Sequence, residues 1–336
     1  MKNLKHIFIC SLIVMLFACA STGKQSKRPD WVDGESRKYS DNSYLIGRGV
    51  SSNLDDAKDR ARVDIAKVFE VALIEYGKDK QEYQQLTQDG ESEVNSSQHV
   101  IRVIRTQTKK VVEGVEIPEI WQDEQGQYYA LAVLNRKQAR KRLKDEIKRL
   151  DEATNIVMGR VIASSDRLAE IARLTQAMEL QNERAVALSS LQIVNPSGKG
   201  VAVVWNVTKL ERRLAEVMGA IFIYPQLLNE DHKPLLTILA SAITEAGFKS
   251  TEINPWHYML AVDLTLEEPT VQNGWTWIRG TLEIILRTGD GNVIGNKRWP
   301  IKASSTQETL VYERLYNQAA NTLNKELRGA IVGFVQ

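Results

Sequence analysis

Apolar residues recur along this chain with two periods, and the switches between them mark out its elements. Tyr44 to Val50 reads as a buried strand broken by two glycines, Gly47 and Gly49. Leu54, Ala57, Ala61, Ile65, Val68 and Ala72 then fall three or four residues apart, which is one face of a helix. Asn53 or Ser52 supplies its N-cap, and Asp55 and Asp56 stand in the first turn, where the helix dipole favours acids. A polar stretch over 78–93 follows, and the chain over 78–98 is either a flexible loop or a helix extension. His99 to Val115 and Ile117 to Trp121 are expected as strands, and Asp123-Glu124-Gln125-Gly126 turns the chain into Tyr128–Leu134.

From Arg136 to about Leu191 the pattern becomes charged, glycine-poor and helical. Ala139, Leu143, Ile147 and Leu150 line a first helix over Arg136 to Glu152, which carries eight Lys or Arg residues. Ser165 starts a second, through Leu168, Ile171, Ala172, Met178 and Leu188. Two such helices can form a hairpin that spaces two domains or receives a partner. Asn195-Pro196-Ser197-Gly198-Lys199-Gly200 is the clearest linker signal. Beyond it, Ala220–Tyr224 reads as a strand ended by Pro225, and Leu235 to Ala246 as a helix closed by Gly247. Met259–Leu266, Trp275–Thr288 and Val293–Ala303 read as strands, the last two joined at Asp290-Gly291. Ser304, Ser305 or Thr306 caps a final helix with apolar positions Val311, Leu315, Ala319, Leu323, Leu327 and Ile331. The fold class expected is α+β: two small antiparallel-sheet and helix domains, 29–136 and 205–336, joined by a helical connector at 137–194.

Before all of this stands a different pattern. Lys2 and Lys5 precede an apolar run of twelve residues, Ile7 to Ala18. Twelve is too short to span a bilayer, which takes about 20 residues. A positive start, a short apolar core and a small residue at the cut describe an export signal, residues 1–18. Leu16-Phe17-Ala18-Cys19 resembles the lipobox of bacterial lipoproteins, although Phe17 stands where a small residue is more common. That resemblance implies that Cys19 carries a thioether-linked diacylglycerol and, as the new N-terminus, an N-acyl chain. More than one acyl chain makes anchoring stable. Ala20 follows, where an aspartate would favour retention at the inner membrane, so the implied location is the outer membrane, facing the periplasm. Residues 19–28 read as a polar tether whose ten residues reach about 35 Å when extended.

Removing the signal changes the composition. It takes two of the 44 basic residues and none of the 42 acidic ones, so the formal charge of +2 leaves with it. A balanced chain offers no clustered basic face for nucleic acid. Of the two cysteines, Cys10 leaves as well, so no intramolecular disulfide can form and stability must come from packing.

Arg28-Pro29-Asp30-Trp31-Val32, then Tyr44-Leu45-Ile46-Gly47-Arg48-Gly49-Val50, then the alanine-spaced helix and the Tyr128–Val133 strand form an ordered set. It resembles the N-terminal domain of the LPP20 family of bacterial envelope lipoproteins, over residues 28 to about 140. The resemblance implies roles such as supporting flagellar basal-body structures or envelope assembly. Trp31 is expected to pack as an anchor where the tether meets the fold. The C-terminal part loosely resembles periplasmic α/β modules of Tol-type and synthase-activating lipoproteins, by fold analogy alone.

Catalytic and cofactor patterns are weak. Gly47-x-Gly49 lacks the third small residue of a dinucleotide fingerprint, and Asp55 and Asp56 would repel a pyrophosphate. Gly198-Lys199 lacks the rest of a phosphate-binding loop. His99, His232 and His257 are scattered, so neither a metal nor a cofactor is expected. Glu267-Glu268 reads as a loop rim and the basic helix as a solvated face. Trp256, Trp275, Trp277 and Trp299 gather in the C-terminal domain, either as packing or as a surface for a partner protein or glycan. The reading that results is a non-enzymatic, lipid-anchored scaffold or accessory factor for envelope or flagellar basal-body assembly. It contacts outer-membrane lipid through Cys19 and an envelope protein through the Trp-rich domain. The alternative is a periplasmic regulator that activates a peptidoglycan synthase.

Overall fold

The computed structural model describes residues 27–335, apart from 35, 86–101, positions 103, 104, 107, 108, 110 and 112, and 163–165. Within helices it leaves the side chains of 72–85, 162 and 308 undescribed. The class is α+β, with two compact units: residues 1–70 with 108–139, and residues 71–107 with 140–336.

In the first unit a short helix α1 (Asp30–Asp33) leads to strand β1 (Tyr44–Ser51) and helix α2 (Leu54–Gln85). Strands β2 (Val115–Gln122) and β3 (Tyr128–Asn135) complete an antiparallel sheet of order β1-β3-β2. The central strand is covered on both faces, which is why Ala130 to Leu134 reads as an unbroken apolar run and is buried throughout. Ala57, Ala61, Ile65 and Phe69 of α2 are fully buried. Two glycines let the helix come this close. A Cβ on Gly47 would fall 2.8 Å from Ile65 Cγ1, and one on Gly49 would collide with the Ala57 carbonyl oxygen. The Gly47-x-Gly49 pair therefore serves helix–sheet approach and not phosphate binding. Asn53 is the cap, its Oδ1 accepting from the backbone N–H of Asp55 at 2.8 Å and of Asp56 at 3.2 Å.

Two expectations fail here. Val68 is 45% exposed and Phe69 is buried in its place, because the covered row follows strict four-residue steps along one ridge of the helix. The strand expected over His99–Val115 is also overturned. Arg102, Arg105, Thr106, Lys109 and Val111 are helical, and strand begins only at Val115. β-branched residues are dense there, yet Val100, Ile104 and Val111 lie four and seven apart, a helical spacing. The open choice over 78–98 resolves as helix extension through Gln85; positions 86–98, and His99, lie outside the described residues.

The second unit holds helix α3 (Arg136–Ile162) from residue 140 onward and helix α4 (Arg167–Val194). α3 runs ten residues past Glu152. The two helices form an antiparallel hairpin, with Arg184 Nε donating to Asp151 Oδ1 at 2.7 Å and Gln181 Nε2 to Thr154 Oγ1 at 2.8 Å. Arg173 Nη1 donates to the Arg160 carbonyl at 2.8 Å nearer the tip. Asp166 caps α4, accepting from the N–H groups of Leu168 and Ala169; Ser165, expected at this start, lies outside the described residues.

After the linker, helix α5 (Val207–Gly219) leads into strand β4 (Phe222–Leu227), helix α6 (Pro234–Glu245) and strands β5 (Lys249–Ser250) and β6 (Tyr258–Leu266). Strands β7 (Thr270–Gln272), β8 (Trp275–Thr288) and β9 (Val293–Ser305) and helix α7 (Glu308–Gly333) complete the unit. The sheet order is β5-β4-β6-β8-β7 with β9 on β8. Its β6–β9 portion is antiparallel, whereas β4 runs parallel to β5 and β6 across the α6 crossover. One apolar core joins this sheet to Leu168, Ile171 and Leu174 of α4 and to Val311, Leu315, Ala319, Leu323, Leu327 and Ile331 of α7.

Pro225 does not end β4, which continues to Leu227. The carbonyls of Ile221 and Ile223 accept from β5 and its flank, so odd positions face that side. By Pro225 the short β5 has ended, and a missing N–H on an open edge costs no ladder bond. The final helix is capped by Gln307 without a side-chain bond; Ser304 and Ser305, expected as caps, belong to β9. Helix α5 is an addition to the expected elements, although Asn206 as N-cap and Leu210, Leu214, Val217 and Met218 as a buried face are a standard helical signature. The β7–β8 hairpin is another, with Asn273-Gly274 at positive φ of 51° and 76°.

Candidate functional site

Cys19, the one residue whose chemistry the sequence singles out, lies outside the described residues, as does the signal. The structure does show where the chain arriving from Cys19 is seized. Pro29 sets an extended φ of −66° ahead of the single turn of α1, which turns Trp31 into the sheet, where it is 2% exposed. Leu131 and Val133 form the floor of its pocket, with Tyr39, Tyr44, Ile46, Trp121 and Tyr129 packed around it.

Polar bonds fix the indole and its backbone. Trp31 Nε1 donates to Glu119 Oε2 at 2.7 Å, and the Trp31 carbonyl accepts from Arg48 Nε at 2.6 Å. The other arm of Arg48 reaches the Gly34 carbonyl. Lys38 Nζ lies 3.0 Å from Glu119 Oε1, and that hydrogen bond holds the ammonium pKa above its ordinary value. Just upstream, Arg28 pairs with Asp33, and its guanidinium sits over the rings of Trp121 at 5.7 Å and Tyr129 at 6.0 Å. This pair is half exposed and contributes about 1 kcal/mol or less.

Glu119 reaches this face through a defect in β2. Glu116 is opposite Val133, but Glu119, not Pro118, is opposite Leu131. The extra residue is a bulge at Pro118, and it puts the carboxylate on the same face as Leu131 and Trp31. The arrangement offers packing and charge-assisted hydrogen bonds; what it can do is fix α1 and the chain beside it to the sheet. The motif around Trp31 is legible in the sequence. Arg48 and Glu119 as the hydrogen-bond partners of Trp31 are not, since Glu119 lies 88 residues away and depends on a bulge.

The remaining candidates do not converge. Trp299 is buried and donates to Glu326 Oε2 at 3.3 Å, while Trp256 stacks on Tyr224 with centroids 5.8 Å apart. Trp275 is 42% exposed, and it and Trp277 lie on the β7–β8 hairpin, at the opposite end of the sheet from Trp256. The four tryptophans are thus near in sequence but not one surface. His232 Nδ1 lies 3.1 Å from the Tyr316 hydroxyl, and His257 Nδ1 accepts from the Phe222 N–H at 2.9 Å. Burial and the nearby Arg167 push the His257 pKa below its ordinary value. Burial and Asp166 push the Tyr258 phenol up to about 12. Glu267 and Glu268 are exposed in a loop. Among the described residues no group of three His, Cys, Asp or Glu could hold a metal ion, and no helix is long and apolar enough to cross a membrane.

No curated protein matches the chain. Among solved structures it is similar to the secreted protein HP1454 from Helicobacter pylori, at 14% identity and a TM-score of 0.43 over 85% of this chain and 96% of that one. A minor lipoprotein from Acinetobacter baumannii gives 17% identity and a TM-score of 0.26 over 32% of this chain and 92% of that one. Lipoprotein GNA1162 from Neisseria meningitidis gives 13% and 0.23 over 30% and 99%. The match that bears on the seat of Trp31 is to a family: from Pro29 through the end of β3, the segment that contains Trp31, both glycines and Glu119, residues 29–135 are an LPP20 lipoprotein domain.

Proposed function

We propose that the chain is a non-enzymatic lipoprotein held at the outer membrane by acyl chains on Cys19, facing the periplasm. It acts there as a scaffold or accessory factor in envelope assembly. The observation that carries this reading is the seat of Trp31. An LPP20 lipoprotein domain begins directly after the short polar segment that ends at Arg28, and its α1 is locked into the sheet by Glu119, Arg48 and the aromatic cluster. A firm grip at this position transmits the restraint of a membrane anchor to the whole domain. The polar tether from Cys19 to Arg28 keeps that domain within about 35 Å of the lipid. The exposed Trp275 hairpin of the C-terminal unit is a further surface for an envelope partner.

Fatty-acid labelling with membrane fractionation tests the reading. The native chain is expected to take label and to sediment with outer membrane, and Cys19→Ser is expected to lose both. Labelled chain in the inner-membrane fraction would overturn the placement, and label retained by Cys19→Ser would overturn the anchor.

A further inference from the structure

Near the tip of the α3–α4 hairpin lies an open cleft of about 410 Å³, within the size range of small-ligand sites. Val157 from α3, Ala169 and Ala172 from α4 and Val335 are its apolar lining residues. The small side chain at Ala172 leaves the room. Its polar lining is uneven. Arg160 from α3 and Arg173 from α4 both line the cleft, and Arg173 Nη1 donates to the Arg160 carbonyl at 2.8 Å. Gln176 and Glu179 follow along α4. Glu179 is six residues beyond Arg173, which is about 9 Å along a helix rising 1.5 Å per residue.

Among the described residues none of these three charges has an ion-pair partner, although Arg184 with Asp151 and Arg213 with Glu170 are paired elsewhere on the same helix. The cleft is thus lined by two arginines and a glutamate, with the amide of Gln176 between Arg173 and Glu179 along α4. A ligand that answers it carries both an anion and a cation, spaced on the scale of the about 9 Å between the Arg173 and Glu179 positions on α4. Three extended residues span about 10 Å. We propose that this cleft binds a short extended peptide with both ends free, its carboxylate on Arg160 and Arg173 and its ammonium on Glu179. Guanidinium forks match carboxylates in geometry and charge, and a lone carboxylate matches an ammonium. This site is independent of the anchor.

Titration of trialanine into the full-length chain tests it, beside N-acetyl-trialanine and trialanine amide. Free trialanine is expected to bind at least ten-fold more tightly than either capped form, one charge-assisted contact being worth about that factor. Arg173→Gln is expected to remove the preference for the free carboxylate and Glu179→Gln the preference for the free amine, each leaving the other intact. Both positions tolerate the change, which circular dichroism checks. Absence of trialanine binding at millimolar concentration overturns the proposal. So does equal binding of either capped peptide, or variants that keep both preferences.

Discussion

Trp31 and Glu119 meet at 2.7 Å, indole N–H to carboxylate, across 88 residues of sequence. The contact joins the single turn of α1 to a strand that enters the domain much later. Because Trp31 is almost fully buried, removing it leaves a large cavity between α1 and the sheet. Trp31→Ala is expected to cost the N-terminal unit about 3–5 kcal/mol. Glu119→Ala, which strands the indole N–H, is expected to cost about 1–3 kcal/mol. Urea unfolding followed by circular dichroism measures both; a Trp31→Ala chain as stable as the native one would show that the seat is ornamental.

Asp151 and Arg184 form a second long-range pair, with side-chain exposures of 15% and 3%. Breaking it leaves a guanidinium buried without its partner, so Asp151→Ala is expected to lose about 3–5 kcal/mol. Replacing both residues, as Asp151→Leu with Arg184→Met, is expected to recover most of that loss, since a well-packed apolar pair avoids the desolvation cost. Denaturant midpoints of the two variants compared with the native chain decide it.

Glycine substitutions separate space from propensity. Gly49→Ala drives a Cβ into the Ala57 carbonyl and is expected to destabilise by about 1–3 kcal/mol or more. Gly159→Ala, inside α3 with nothing within 4 Å of the added carbon, is expected to stabilise by about 0.5–1 kcal/mol. Thermal unfolding of the two variants should move in opposite directions.

His257 makes stability depend on pH. Its folded pKa lies below the ordinary value because of burial and Arg167, so the unfolded chain binds the proton more readily. Its contribution is present above the unfolded pKa, about 6.5, and is lost as pH falls through the folded one. The native chain is expected to lose urea resistance between about pH 7.5 and pH 5. A His257→Asn chain, whose amide oxygen can still accept from the Phe222 N–H, is expected to lose less over the same range.

Much of the architecture is legible in the order of residues alone. The alanine-spaced helix, the Asp123–Gly126 and Asp290-Gly291 turns and the apolar row of α7 are local patterns of period, cap and turn residue, and such patterns survive folding unchanged. The His99–Val115 segment misleads because β-branched density and helical spacing point in opposite directions there. Val68 misleads because two neighbouring rows of a helix satisfy the same spacing, and only the sheet beneath selects between them. Pro225 reads as a stop because its tolerance depends on how far the neighbouring strand reaches.

The sequence by itself determined most of the order of elements, the α+β class and the Pro29-x-Trp31-Val32 and Tyr44–Val50 motifs, and it alone carries the expectation of an export signal ending at Cys19. Each depends on residues close together in the chain. Tertiary structure decided that Glu119 and Arg48 close around Trp31, that Asp151 answers Arg184, and that four tryptophans near in sequence are dispersed over the fold. It also put Arg160, Arg173 and Glu179 around one cleft. Those outcomes turn on a bulge, a hairpin register and strand ends, which fix distances between residues far apart in the chain and leave no periodic trace along it.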